Sequence, residues 1–161
     1  MRANSKLAVG LYGLLFHAVV VAVVVAIALK NRAAIEPLFW AVAVPSLLVA
    51  AFVVYALAVS RYVARRDAQR KGVVFFDALV GMAAEPAIVA LTALGYGLFA
   101  AVADAQAGAG YLGALGNRTA FGFLYAVANF MTQILVIGNA AGLVGFVVLK
   151  KLAARSVPAT K

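Results

Sequence analysis

Apolar positions in this chain neither alternate nor recur at a helical period; they run on. Four long stretches, 7–29, 38–60, 73–103 and 119–149, hold only Asp77 and Glu85 as charged side chains. Each exceeds the ~20 residues that cross the hydrocarbon core of a bilayer as a helix. A lipid environment supplies no partners for backbone N–H and C=O groups, so such stretches must be helical, whatever their valine content would favour in water. The pattern predicts an all-α polytopic membrane protein. It is a single domain, an antiparallel four-helix transmembrane bundle.

The segments between the runs refine this picture. No glycine or proline occurs between Ser46 and Lys71, and Asp67 precedes Arg70 and Lys71 by three and four residues. That spacing supports a helix, so the second helix is predicted to extend beyond the membrane to about residue 71 and to stop at Gly72. Residues 104–118 contain Gly108, Gly110, Gly113 and Gly116 and read as a flexible outer loop. The first run follows a charged start, and Ala26-Ile27-Ala28 has a small-x-small pattern, but the run is too long for the apolar part of a cleaved signal peptide. It is expected to stay as the first span.

Composition sharpens the class. Hydrophobic residues make up 66% of the 161, charged residues 12%, and mean hydropathy is +1.05. A water-soluble fold and intrinsic disorder are both excluded by such figures. There is no cysteine and one histidine, His17, so thiolate chemistry is absent and no cofactor or metal site is expected.

The net charge of +9 comes from residues that flank the apolar runs. This speaks for membrane topology and against nucleic-acid binding. Arg2, Lys6, Arg61, Arg65, Arg66, Arg70, Lys71, Lys150, Lys151, Arg155 and Lys161 fall on one side, while the other side has only Lys30, Arg32 and Arg118. The positive-inside rule then puts both termini in the cytoplasm of a cell-membrane protein. Arg61, Arg65, Arg66, Arg70 and Lys71 set that orientation and are placed to meet anionic lipid headgroups.

Glu85 is the sharpest chemical signal. It lies 12 residues into the third run, about 18 Å along a helix and near mid-bilayer. Pro86 follows it and deprives the Met82 carbonyl of its helical donor, so two acceptors lie within about one turn. They could hold a proton, a small cation or an ammonium group. The other reading is a protonated Glu85 that only hydrogen-bonds across helices. Pro86 and Pro45 are expected to kink their helices. Asp77, about a turn from the cytoplasmic end, is either the inner port of a proton path or an acid that complements the helix N-terminus.

The fourth run has two faces. Tyr125, Asn129, Thr132, Gln133 and Asn139 fall within an arc of about 120° at 100° per residue. Gly138, Gly142 and Gly145 lie opposite, with the small-x-x-x-small spacing of close helix contacts. A helix covered on both faces implies a homo-oligomer or other membrane subunits, with the glycines as packing or oligomer face. His17 shares a face with Gly10 and Gly13 near mid-depth. It either joins Glu85, Asn129 and Gln133 in one polar layer or is a neutral histidine bonded to a carbonyl or to Tyr12.

The gross shape is similar to that of small multidrug transporters, whose essential carboxylate is in the first helix; here that helix has His17 and no acid. Membrane-bound glutathione-transferase-like proteins share the shape too, but the basic stretch 61–71 does not reproduce their acidic and arginine-rich motif. The leading functional expectation is an oligomeric transporter or channel subunit. It would pass a proton, a cation or a small polar solute at Glu85, with His17, Asn129, Thr132, Gln133 and Asp77 along the path. The alternative is a non-catalytic anchor subunit of a larger membrane complex. A lipid-modifying enzyme ranks below both, since no nucleophile or metal cluster is evident.

Overall fold

A computed structural model describes residues 3–30, 37–69 and 74–155, and nearly all of these are helical. Helix α1 is Ala3–Lys30 and α2 is Pro37–Val54. A π-helical turn, Tyr55–Val59, leads without interruption into α3, Ser60–Gln69. Helix α4 is Val74–Gln106 and α5 is Tyr111–Arg155. Three segments, Lys6–Ile27, Ala41–Val63 and Asp77–Gln106, are long and apolar enough to cross a membrane. A fourth is reached if the two limbs of α5, Tyr111–Ala128 and Met131–Gly145, form one span; they meet at a 79° bend.

The connection between α4 and α5 differs from the sequence expectation. Residues 104–118 are helical except for the turn at 107–110. Only Gly108 adopts a positive φ, of 94°, a conformation that a residue without Cβ accepts readily. Ala109 N–H bonds back to Asp104 C=O, and α5 restarts with Ala114 N–H on Gly110 C=O. The guanidinium of Arg118 then clasps Asp104 with two bonds of 2.7 and 2.8 Å, tying the end of α4 to the start of α5. Glycine content had suggested coil; one left-handed residue is all this turn requires.

Helices α2 and α4 continue through Pro45 and Pro86, and neither proline ends its helix. The sharp bend is in α5, which has no proline within its described length. Gly72, predicted to stop the second helix, lies outside the described residues.

The helices touch mostly where a side chain is missing. A Cβ on Gly81 would run into the backbone of Gly138 and Gly142, and one on Gly142 into Asp77. Gly10 receives Phe52, Gly13 receives Tyr55, Gly95 receives Ser46, and Gly97 receives Thr119. Close backbone approach lets the helices gain van der Waals contact along their length. These contacts set α1 against α2, α2 against α4, and α4 against α5. The core cluster comprises Val9, Ala50, Ala51, Val54, Tyr55, Val59, Ala84, Ile88 and Ala141. Large apolar side chains also cover the outside: Leu7, Leu11, Leu15, Val19, Leu98, Phe99, Phe121 and Leu124 are all exposed.

Candidate functional site

His17 on α1 and Glu85 on α4, 68 residues apart, reach each other through their side chains. Nε2 of His17 stands 3.0 Å from Oε1 of Glu85, and the two residues are 2% and 4% exposed. Nδ1 of the same ring lies 2.7 Å from the carbonyl oxygen of Gly13. That carbonyl can only accept, so Nδ1 carries a hydrogen. One proton is then left to be shared between Nε2 and Oε1. It can reside on the carboxyl, leaving two neutral groups, or on the ring, leaving an ion pair. Both arrangements are neutral overall. Removing that proton, or adding a second, leaves a net charge in a dry interior, which is expensive.

The surroundings hold the pair rigidly. Tyr55 and Phe16 pack their rings near the imidazole, with centroids 5.9 and 5.6 Å away and edge-on geometry. Gly13 makes room for Tyr55, so one glycine supplies both the carbonyl that fixes His17 and the space for its aromatic neighbour. A Cβ on Gly138 would come 2.6 Å from Cγ of Glu85, which shows how closely α5 covers the carboxyl side chain. Tyr12 donates its hydroxyl hydrogen to the Ala141 carbonyl and packs against Gly145, joining α1 to α5. The Tyr55 hydroxyl is buried with no hydrogen-bond partner among the described residues.

A second acid is buried nearer the α3 end of α4. Asp77, in the first turn of α4, accepts a 3.0 Å bond at Oδ1 from the Tyr62 hydroxyl. Tyr62 is on α3, so this contact links the helical extension to α4.

The other predicted residues are distributed differently. Thr132 and Gln133 are exposed on α5 and do not line Glu85 within the chain. The reason is on the opposite face: Gly138, Gly142 and Gly145 turn inward, and a helix that buries its glycine face against α4 and α1 must turn its polar face out. The glycines therefore serve contacts inside the chain, where an oligomer face had been the other expectation. The side chain of Asn129 lies outside the described residues. Oδ1 of Asn139 is buried without a hydrogen-bond partner among the described residues. Arg61 and Arg65 are exposed on α3. The Arg66 side chain, with Arg70 and Lys71, lies outside the described residues.

Gly13, Tyr55 and Tyr62 escaped the sequence reading as site residues. Gly13 had a signal in its shared face with His17. Tyr55 had none, because its placement depends on the π-helical turn it opens; such turns recur at functional sites. No known protein family, characterised protein or solved structure matches the chain.

Proposed function

We propose that this chain is an integral protein of the cell membrane that crosses it four times with both ends in the cytoplasm, and that it holds an exchangeable proton at mid-depth on the His17–Glu85 pair. In this reading it is the proton-handling subunit of a transporter or channel. The observation that carries the proposal is the geometry of the pair. Nδ1 of His17 lies 2.7 Å from the Gly13 carbonyl and Nε2 lies 3.0 Å from Oε1 of Glu85, a spacing across which the pair can share one proton. Among a proton, a cation and a small polar solute, only the proton needs no room beside a carboxyl group that α5 covers so tightly. Asp77 and Tyr62 supply a second buried hydrogen-bonded acid eight residues along α4, about 12 Å by helical rise.

Proteoliposomes test this. A potassium diffusion potential should drive proton entry, read by an internal pH dye, through wild-type protein. Glu85→Gln should abolish that flux while the protein still assembles. Undiminished flux through Glu85→Gln removes the pair from the mechanism.

The close cover of Glu85 by Gly138 also favours the second reading, a non-catalytic subunit in which the pair only fastens α1 to α4. Extraction in mild detergent separates the two. Other polypeptides in fixed ratio support the subunit reading, and a chain that purifies without them and conducts protons supports the first.

A further inference from the structure

We infer that the outward polar face of α5, at Thr132 and Gln133, is the seam between two copies of this chain. The register of α5 along α4 sets the depth of these residues. Thr119 lies against Gly97 and Gly122 against Ala93; farther on, Gly138 lies against Met82 and Glu85, and Gly142 against Asp77 and Ala78. Residues 122–138 of α5 thus pass a shorter stretch of α4, 93–82, and the surplus length falls where α5 bends by 79°, between Ala128 and Met131. Thr132 and Gln133 sit just past that elbow, opposite the middle of the Asp77–Gln106 span, and both are exposed.

Val136, which shares their side of the helix, is 62% exposed as well, so the face looks away from the protein. A threonine hydroxyl can bond to its own helix. The glutamine amide, with two donors and an acceptor, cannot be satisfied there, and hydrocarbon offers it nothing. A second copy does. An amide both donates and accepts, so two Gln133 side chains related by a twofold axis pair reciprocally, as a self-complementary interface requires. The glycine face of α5 is occupied by α4 and Tyr12 and is not open to a second copy. This inference rests on membrane insertion and not on the proton reading.

The absence of cysteine gives a clean background for the test. Val136→Cys, one turn from Gln133 on the exposed side of α5, and, as a control on the outward face of α1, Val19→Cys are oxidised in native membranes, so that Gln133 itself stays in place. Val136→Cys should yield a covalent species at twice the 16.6 kDa chain mass, and Val19→Cys should not. Cross-linking at Val136 that is no stronger than at Val19, or that joins a different polypeptide, overturns the proposal. Mass measurement of the unmodified protein in mild detergent guards against a cysteine variant that fails to fold. A dimer that Gln133→Leu converts to monomer supports the seam; a wild-type monomer, or a dimer that survives Gln133→Leu, contradicts it.

Discussion

Nε2 of His17 on α1 and Oε1 of Glu85 on α4 stand 3.0 Å apart with almost no exposed surface on either side chain. Each group makes the other tolerable in an apolar interior. A histidine or a carboxyl left alone there would retain an unmet hydrogen-bonding group.

The two residues should therefore be energetically coupled. His17→Ala and Glu85→Ala should each lower stability by about 1–3 kcal/mol, the cost of a buried polar partner left unsatisfied. The double variant should lose less than the two singles together, with an interaction energy of about 0.5–3 kcal/mol. Denaturation in detergent micelles measures all four proteins. Strict additivity contradicts the coupling.

Tyr55→Phe should be neutral or stabilising. The ring fills the space beside Gly13 and His17, but its hydroxyl is buried with no partner among the described residues, so removing the oxygen relieves an unmet polar group at constant shape. A gain of up to about 1 kcal/mol is expected. A clear loss of melting temperature would reveal that the hydroxyl has a partner that matters.

Two kinds of glycine should respond in opposite ways to alanine. Gly138→Ala drives a methyl group into Glu85 and the backbone of α4, and should cost about 1–3 kcal/mol. Gly113, in the first turns of α5, has open space where a Cβ would go. Gly113→Ala should stabilise by about 0.5–1 kcal/mol, since alanine favours the helix. Equal effects at the two positions would mean that α5 does not lie on α4 as described.

The helical class and the approximate extent of the apolar segments were legible because uncharged runs of this length have few physical solutions. Glu85 and His17 stood out in the sequence by their rarity in such runs. Their meeting in one layer was one of two readings of His17, and depth along two helices did not decide between them, because it does not fix which faces meet. The glycines decided that: Gly13 admits Tyr55 beside His17, and Gly138 admits Glu85 beneath α5. The same contacts turn Thr132 and Gln133 away from Glu85 within the chain. Thr132 and Gln133 looked like partners for Glu85 by depth alone, but close packing selected the opposite face of their helix. The turn at 107–110 was obscured because glycine content marks where a chain could be flexible, not where it must leave the helix.

Tyr62→Phe should loosen the junction between α3 and α4 without disturbing His17. It removes the 3.0 Å bond to Asp77, and the two sites are on separate contacts. Hydrogen exchange should quicken in Ser60–Gln69, while Gly10 to His17 keep their protection. Faster exchange around His17 would show that the two acids act as one network.

The most direct test of the shared proton uses the fact that the chain has one histidine. Nitrogen-15 labelled histidine in lipid bilayers gives a single ring to read. At neutral pH, Nδ1 should bear a hydrogen, and the Nε2 resonance should shift when Glu85→Gln removes the carboxyl group. A neutral ring with its hydrogen on Nε2 and a bare Nδ1, indifferent to Glu85→Gln, would contradict the account.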